Sequence, residues 1–422
     1  MKKVAIVGGG AAGLMAAVGV LEKGAIPVIY EKNKKLGIKL LITGKGRCNL
    51  TNELEISEFV QRFPGNGSFL YSALYNFNNY QLIDFLSSLN VPCKVERGGR
   101  VFPESDKAGD VVEALTNYIL KKGCEIKYNT PVEHLWLDND NGRLQGIWAK
   151  GNNQRFSSVV IATGGLSYPK TGSTGDGYKL AREAGHTIID PFPSLVPLKT
   201  KEAWVTQVQG LTLKNVEVTA FMKGRELGKE FGEMLFTHFG VSGPIILSLS
   251  RFVVKALKSK GGPVKIKINL KPALDSAQLD ARLQRVFSEL SNKQFKNTLD
   301  GLFPKSLIEP MISLSRIEPH KPAHQISREE RNGLVYLIQN LELTINGFSS
   351  YDEAIVTSGG VNVKEIDPSN MESKIIRGLY FAGETIDIDG FTGGYNLQAA
   401  FSTGLLAGQS AGEYTNTYTH NI

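Results

Sequence analysis

KVAIVGGGAAGLMAAVGVLEKGAIPVIYE, residues 3–31, decides the fold. Lys3–Val7 is a short apolar run of strand type. Ala11–Lys23 has helical composition, with Leu14, Ala17, Val18 and Leu21 on one face, and Pro27–Tyr30 is a second short strand. On the first strand-to-helix turn stand Gly8-x-Gly10-x-x-Gly13, and Glu31 follows 18 residues after Gly13, at the end of the second strand. Strand, glycine turn, helix and distal acid together form a dinucleotide fingerprint in the context it requires. Gly8 permits the tight turn, Gly10 lets the backbone approach a pyrophosphate, and Gly13 lets the helix pack close to the strand. The helix N-terminus offers unpaired N–H groups and partial positive charge to the phosphates. Glu31 can accept hydrogen bonds from ribose hydroxyls.

Working outward, Asp110–Lys122 is an amphipathic helix with Val111, Leu115, Tyr118 and Ile119 on one face and Gly123 as its stop. Strand-like runs follow at Glu125–Tyr128, Val132–Leu137, Leu144–Ala149 and Ser158–Ala162, separated by turns such as Asn139-Asp140-Asn141-Gly142. The order βαβ, helix, strand, three-stranded meander, then a strand ending Ala-Thr-Gly is that of a flavin-binding fold. From about Pro193 to Ser349 short alternating segments such as Val216–Met222 and Val264–Leu270 predict an antiparallel sheet or barrel, with helical stretches at Leu279–Leu290 and Ser327–Leu341. The first architecture resumes at Ala354, with a strand in GLYFAGE (Gly378–Glu384) and a small-residue helix over Asn396–Ala411. That helix opens after Gly393-Gly394-Tyr395, so its free N–H groups suit the electron-rich pyrimidine edge of a flavin. The expected fold is α/β: a Rossmann-like FAD-binding domain of the glutathione-reductase type, residues 1–192 and 350–422. An inserted β-barrel-like domain, residues 193–349, carries a small helical subdomain near 275–340.

Composition narrows the classes. Of 422 residues, 41% are hydrophobic and 21% charged, which describes a globular chain rather than a disordered or fibrous one. Cys48, Cys93 and Cys124 are too few and too far apart for a disulfide scaffold, and with no CxxC there is neither a Cys-based zinc site nor a CxxC redox pair. No metal site is expected. No apolar run approaches the ~18–20 residues needed to cross a bilayer. Lys2 and Lys3 precede an apolar stretch, but Gly8, Gly9 and Gly10 interrupt it as a strand–turn–helix requires, so a secretory signal is not expected and the cytoplasm is the expected compartment. The net charge of +7 is unevenly placed: Arg251–Asn340 holds 16 Lys and Arg against 8 Asp and Glu, a surplus of +8. This is either a solvated surface or an electrostatic footprint for a phosphate-rich partner.

Five motifs carry a family resemblance: GGGAAG (Gly8–Gly13), TGKGRCNLTN (Thr43–Asn52), VVIATGG (Val159–Gly165), LFTHFGVSGP (Leu235–Pro244) and GLYFAGETIDIDGFTGGYNLQAAFSTG (Gly378–Gly404). Across essentially the whole chain the sequence resembles bacterial NAD(FAD)-utilising dehydrogenases, also called aminoacetone-oxidase-family FAD-binding flavoproteins. That group includes bile-acid enone reductases and ribosomal-RNA dihydrouridine synthases. The first and last motifs are shared with many flavoproteins of the two-dinucleotide type, while Arg47-Cys48-Asn49 and Thr237-His238 are more particular to this group. The resemblance implies non-covalent FAD. Gly8, Gly10, Ala11, Ala12 and Gly13 would meet its pyrophosphate, with Glu31 at the adenosine ribose. Lys39, Gly44 and Arg47 would lie along the flavin side, and Val132 would contact adenine through its backbone. Gly383 and Glu384 would lie by the ribityl chain, and Asn396 and Leu397 at the isoalloxazine edge. Lys32, Thr43, Asn49, Thr163, Gly164 and Asp387 are further expected cofactor-binding residues. Lys45 stands where glycine is expected.

Three residues are candidate proton donors. Cys48 sits roughly where disulfide reductases of this fold carry the first Cys of a redox pair, but Asn49-Leu50-Thr51-Asn52-Glu53 supply no second one. It is either a donor or a small residue packed beside the ring. His238 between Phe236 and Phe239 is either a general acid or a structural turn histidine. Tyr395, beside Gly394, is open to the same two readings. Gly172–Gly177 fails as a second dinucleotide motif because no apolar strand runs into it. NAD(P)H, as electron donor, would therefore visit the flavin transiently or bind the insertion. The expected chemistry is hydride transfer from flavin N5 to an activated C=C bond, in uridine of ribosomal RNA or in a small-molecule enone. A flavin-bearing RNA-binding or redox-sensing protein is the non-enzyme alternative. Nothing in the sequence sets the oligomeric state.

Overall fold

The computed structural model describes residues 2–138, 142–259 and 262–418. The chain divides into two compact units, one formed by Met1–Pro193 with Ala354–Ile422 and the other by Ser194–Glu353.

Among the described residues of the first unit, five parallel strands form a sheet in the order Leu379–Phe381, Val159–Ile161, Lys3–Val7, Ile26–Tyr30, Glu125–Lys127. Ala5 lies opposite Val159 on one side and Val28 on the other. Val4, Ala5, Ile6, Val159, Val160 and Ile161 are fully buried in unbroken runs, which is why these strands show no polar alternation. Strand order reverses at Lys3–Val7. Its carboxyl end, where Gly8–Gly10 turn into the helix Ala11–Glu22, is therefore the crevice at which open α/β sheets take their ligands.

Small residues bring the opening helix and the closing helix Tyr395–Tyr418 into backbone contact. A Cβ at Gly404 would collide with the carbonyl oxygen of Ala12, one at Gly408 with that of Ala16, and one at Gly19 with that of Leu405. The four-residue spacing puts Gly404, Gly408 and Gly412 on one helix face. The closing helix reaches further at both ends than Asn396–Ala411, because this glycine stripe and buried Thr415 extend its packed face.

The meander pairs Val132–Asp138 with Arg143–Ala149 and that strand with Asn152–Arg155. Asn152–Arg155 is polar throughout and carries no strand pattern, so the sequence does not disclose it. The turn residues Asn139–Asn141 lie outside the described residues. A small sheet of Thr51–Asn52, Arg100–Pro103 and Cys93–Glu96 stands beside helices Tyr71–Asn76 and Asn79–Ser88, which the sequence reading did not anticipate.

In the second unit, six described strands close an antiparallel barrel in the order Leu198–Thr200, Gly240–Ser242, Arg225–Phe236, Thr212–Met222, Val264–Asn269, Leu341–Phe348. Val264, Ile266 and Ile268 point inward and are fully buried, leaving Lys265, Lys267 and Asn269 outside. Helices Ser276–Glu289 and Arg328–Gln339 each open on a capping box, Asp275 with Gln278 and Ser327 with Glu330. Helix Pro244–Lys258 buries Ile245, Ile246, Leu249, Val253 and Val254. Its β-branched run hides a helix, and packing with Pro at the first turn overrides propensity.

Candidate functional site

The glycine turn is built by exclusion. Gly8 has φ +101, and a Cβ there would lie 2.7 Å from the Ala162 carbonyl oxygen. A Cβ at Gly13 would collide with the Gly8 carbonyl oxygen, while a Cβ at Gly10 meets nothing within 4 Å. Two glycines are thus filled on every side by protein, and the third opens onto free space at the N-terminus of a 12-residue helix. That arrangement fits a pyrophosphate.

Glu31 is buried and clamps the turn. One carboxylate oxygen accepts from the Gly9 N–H at 2.8 Å, and the other from the backbone N–H and side-chain amide of Asn33, both at 2.8 Å. Neither Gly9 nor Asn33 was anticipated. Their signals are present, the middle glycine of a triplet and an amide two residues past the acid. Lys32 Nζ lies 2.6 Å from Asp176 and 2.5 Å from Thr174 Oγ1, so its charge is paired. Val132 opens the meander opposite Ala149.

Lys39 and Glu384 meet. Lys39 Nζ donates to a Glu384 carboxylate oxygen and to Ser167 Oγ, each at 2.6 Å. The other Glu384 oxygen accepts from Ser167 Oγ at 2.6 Å and from the Thr357 N–H at 2.7 Å. Thr357 Oγ1 in turn accepts from the N–H groups of Leu166 and Ser167. Glu384 therefore fastens three segments distant in sequence. Ser167 and Thr357 carried no signal, since only the fold brings them there. Gly383, at φ +67, donates its N–H to Thr403 Oγ1 at 3.0 Å and would press a Cβ onto Ala12. Gly164, at φ +73, accepts from Thr385 Oγ1 at 3.3 Å, and Thr163 Oγ1 lies 3.4 Å from the same hydroxyl. Asp387 accepts from Gly359 N–H at 3.1 Å and from Asn66 at 3.0 Å.

The loop after Lys39 is wound left-handed. Gly44, Lys45, Gly46 and Cys48 have φ of 57, 59, 86 and 62. Lys45 and Cys48 hold a conformation that costs an L-residue roughly 1–2 kcal/mol. Such strain collects at functional loops. The Cys48 N–H donates to the Thr43 carbonyl at 3.0 Å, and Thr43 Oγ1 to Leu40 at 2.7 Å. Arg47 turns toward the small sheet. It stacks 4.2 Å from the Phe102 ring centroid and pairs with Asp106 at 2.6 Å and with Glu96. Its hydrogen bonds to Glu96 and Asp106 raise the guanidinium pKa further and hold the Glu96 carboxyl below its usual range, while Asp106 is held low first by Lys94, 2.7 Å away, and then by Arg47.

Asn49 ties this loop to the closing helix. With its amide set by its partners, the nitrogen donates to the Val101 and Thr51 carbonyls and the oxygen accepts from the Gly394 N–H at 3.1 Å. The Asn396 side chain closes the preceding loop, accepting from Gly390 N–H at 2.8 Å and donating to the Gly390 and Phe391 carbonyls. The first helical bond runs from Gln398 N–H to Gly394 C=O at 3.2 Å, so the N–H groups of Tyr395, Asn396 and Leu397 precede the helical ladder. They are the backbone donors a flavin pyrimidine edge would meet.

Of the three candidate donors, Cys48 is fully buried and its thiol is pushed up to about 12 by loss of solvation. Tyr395 is buried edge-on to Phe59, centroids 5.0 Å apart, and burial raises its phenol. Both hold their protons at neutral pH. His238 belongs to the barrel unit, exposed in the turn closed by the Thr237 N–H on the Gly240 carbonyl at 2.8 Å. Cys124 is likewise raised to about 12 and Cys93 to about 11, both by burial. Native protein at pH 8 should therefore leave Cys48 and Cys124 untouched by a disulfide reagent and release all three thiols only on unfolding. Because folding raises these values, stability should fall as pH climbs from about 9 toward 12. Rapid modification of two or more thiols in folded protein would refute this. Among the described residues no group of His, Cys, Asp and Glu is placed to hold a metal, and no helix is long and apolar enough to cross a membrane.

Residues 2–410 match the family described as HI0933-like protein Rossmann domain. The chain is 34% identical over 418 residues to the 3-dehydro-bile acid delta(4,6)-reductase of Clostridium scindens, covering 98% of this chain and 100% of that one. It is 32% identical over 402 residues to the ribosomal RNA dihydrouridine synthase of Haemophilus influenzae, covering 94% and 95%. Among solved structures, 3-ketosteroid delta1-dehydrogenase from Sterolibacterium denitrificans in complex with 1,4-androstadiene-3,17-dione superposes with a TM-score of 0.52 over 98% of this chain and 100% of that one. At 12% identity that is a likeness of fold. With the glycine cradle, the buried Glu31 and the strained loop on an open parallel sheet, the chain belongs to the HI0933-like family of FAD-binding Rossmann oxidoreductases.

Proposed function

We propose that this flavoprotein saturates a C=C bond conjugated to a carbonyl, and that its substrate is a uridine of ribosomal RNA, converted to dihydrouridine. The observation that carries the reading is a shared reaction. Two full-length relatives named for chemically unlike substrates, a bile acid and ribosomal RNA, are both named for adding two hydrogens across a double bond. The +8 surplus in Arg251–Asn340 favours the polyanionic substrate.

FAD, held by the Gly8–Gly13 turn and Glu31, supplies the hydride, with NAD(P)H as transient donor. The remaining work falls to this chain. The leading N–H groups of Tyr395, Asn396 and Leu397 would hold the pyrimidine edge of the flavin and favour negative charge there. The Lys39–Glu384–Ser167–Thr357 network would hold the ribityl side. A donor then gives a proton to the carbon α to the carbonyl. Cys48 Sγ and Tyr395 Oη remain protonated past neutrality, so with either as donor the rate should hold from about pH 7 to 9. The pH profile of the half-reaction in wild type and in Cys48→Ala separates these cases.

A deletion strain surveyed for dihydrouridine in ribosomal and transfer RNA tests the substrate. One dihydrouridine should disappear and return on complementation. The second reading, a small-molecule enone reductase, draws on the bile-acid relative that this chain matches along its whole length. An unchanged RNA profile would select it.

A further inference from the structure

The outer wall of the barrel holds a polar cavity of about 310 Å³, lined by Glu217, Thr219, Phe221, Lys267, Asn269, Gln339 and Asn340. That volume is at the lower end of what small-molecule sites use. Its floor follows from register. Glu217, Thr219 and Phe221 are alternate residues of one strand, and Asn269 and Lys267 of its neighbour, with Glu217 opposite Asn269 and Thr219 opposite Lys267. Gln339 and Asn340, at the end of helix Arg328–Gln339, close one side.

The amides are held in fixed orientations. Asn269 accepts from Lys271 N–H through its oxygen at 3.0 Å, and Asn340 donates to the Tyr336 carbonyl through its nitrogen at 3.1 Å. What remains is the NH2 group of Asn269, with the carbonyl oxygen and the second N–H of Asn340. Gln339 has both ends committed, to Ser276 and Leu274. Such a donor and acceptor match the edge of a nucleobase. Glu217, paired with Lys229 at 2.8 Å, offers a carboxylate suited to ribose hydroxyls. At the other end Lys267 lies 5.6 Å from the Phe221 ring centroid, joining an aromatic face to a cation. Lys267 also pairs with Glu342 at 3.5 Å, an exchangeable surface contact for a phosphate to replace. The helix C-terminus beside Asn340 repels anions, so a phosphate belongs at the Lys267 end.

We infer that this cavity is a nucleotide subsite, taking one base with its ribose and phosphate. The nucleotide comes from an RNA substrate or from the adenosine half of the nicotinamide donor. The cavity is lined by residues of the barrel unit alone, and its assignment does not depend on which substrate is reduced.

Binding of an unstructured oligouridylate, of NADH and of NADPH to FAD-loaded full-length protein tests it. Asn269→Asp keeps the oxygen that accepts from Lys271 and replaces the donor with a second acceptor. Phe221→Leu keeps an apolar side chain and removes the ring. Each should weaken one class of probe by about tenfold, with FAD content and thermal midpoint unchanged. Loss confined to the oligouridylate identifies RNA, and loss confined to a nicotinamide dinucleotide identifies the donor. Equal affinities in both variants and wild type, or no binding of any probe by wild type, would overturn the assignment. A deletion strain with unaltered dihydrouridine would remove the RNA reading and leave this test standing.

Discussion

Protein carrying Gly10→Val is expected to fold and to be colourless. The Gly10 Cβ position meets no protein atom within 4 Å, so the added side chain harms nothing in the apoprotein. It occupies the space through which a pyrophosphate would reach the helix N-terminus. Losing two charge-assisted hydrogen bonds there would weaken FAD by roughly 3 kcal/mol or more, about a hundredfold. Gly13→Ala should fail differently. Its Cβ collides with the Gly8 carbonyl oxygen, and overpacking of this kind costs about 1–3 kcal/mol of stability. Flavin-to-protein absorbance and the thermal midpoint of the apoprotein separate the two: cofactor loss at constant stability for Gly10→Val, loss of both for Gly13→Ala. Wild type should be yellow and release FAD rather than FMN, since a dinucleotide fingerprint ending in an acid such as Glu31 would serve an adenosine ribose that FMN lacks. A Gly10→Val protein with normal flavin content would reduce the turn to a structural role.

RNA binding should depend steeply on salt, and a basic stripe on the barrel unit should carry part of that dependence. Arg251, Lys255 and Lys258 recur at four- and three-residue intervals along helix Pro244–Lys258, so they share one face, with Lys255 and Lys258 exposed. Lys260 belongs to the same cluster in sequence but lies outside the described residues. Each phosphate contact adds about 0.7 to the log–log slope for single strands and about 0.9 for duplex. Replacing Lys255, Lys258 and Lys260 with Gln should flatten the slope by two to three contacts' worth, about tenfold in affinity at moderate salt. FAD content and NAD(P)H oxidation by an artificial acceptor should not change. Lys255 and Lys258 also oppose the helix dipole. An unchanged slope would leave them that role alone.

Local signals were legible and convergent ones were not. Gly8, Gly10, Gly13 and Glu31 could be read because strand, turn, helix and acid lie within 29 residues and each obeys a short-range rule. The barrel was legible in Val264–Asn269, whose alternation survives because one face is solvated. The helix Pro244–Lys258 was not, because its β-branched composition reads as strand until packing decides. Ser167, Thr357 and Asn66 lack any local pattern. They hold Glu384 and Asp387 across separations that only the folded sheet closes. Lys39 and Arg47 were visible as cations beside the flavin loop, but their carboxylate partners, Glu384 for one and Glu96 and Asp106 for the other, were not.

The most direct measurement mixes anaerobically reduced, FAD-loaded protein with ribosomal RNA from the deletion strain. The flavin absorbance is followed while the RNA is analysed by mass spectrometry. Reoxidation of the flavin, in step with the gain of two hydrogens at a single uridine, is the predicted result. A flavin that stays reduced in the presence of that RNA, yet is promptly reoxidised by a steroid enone, would contradict the account.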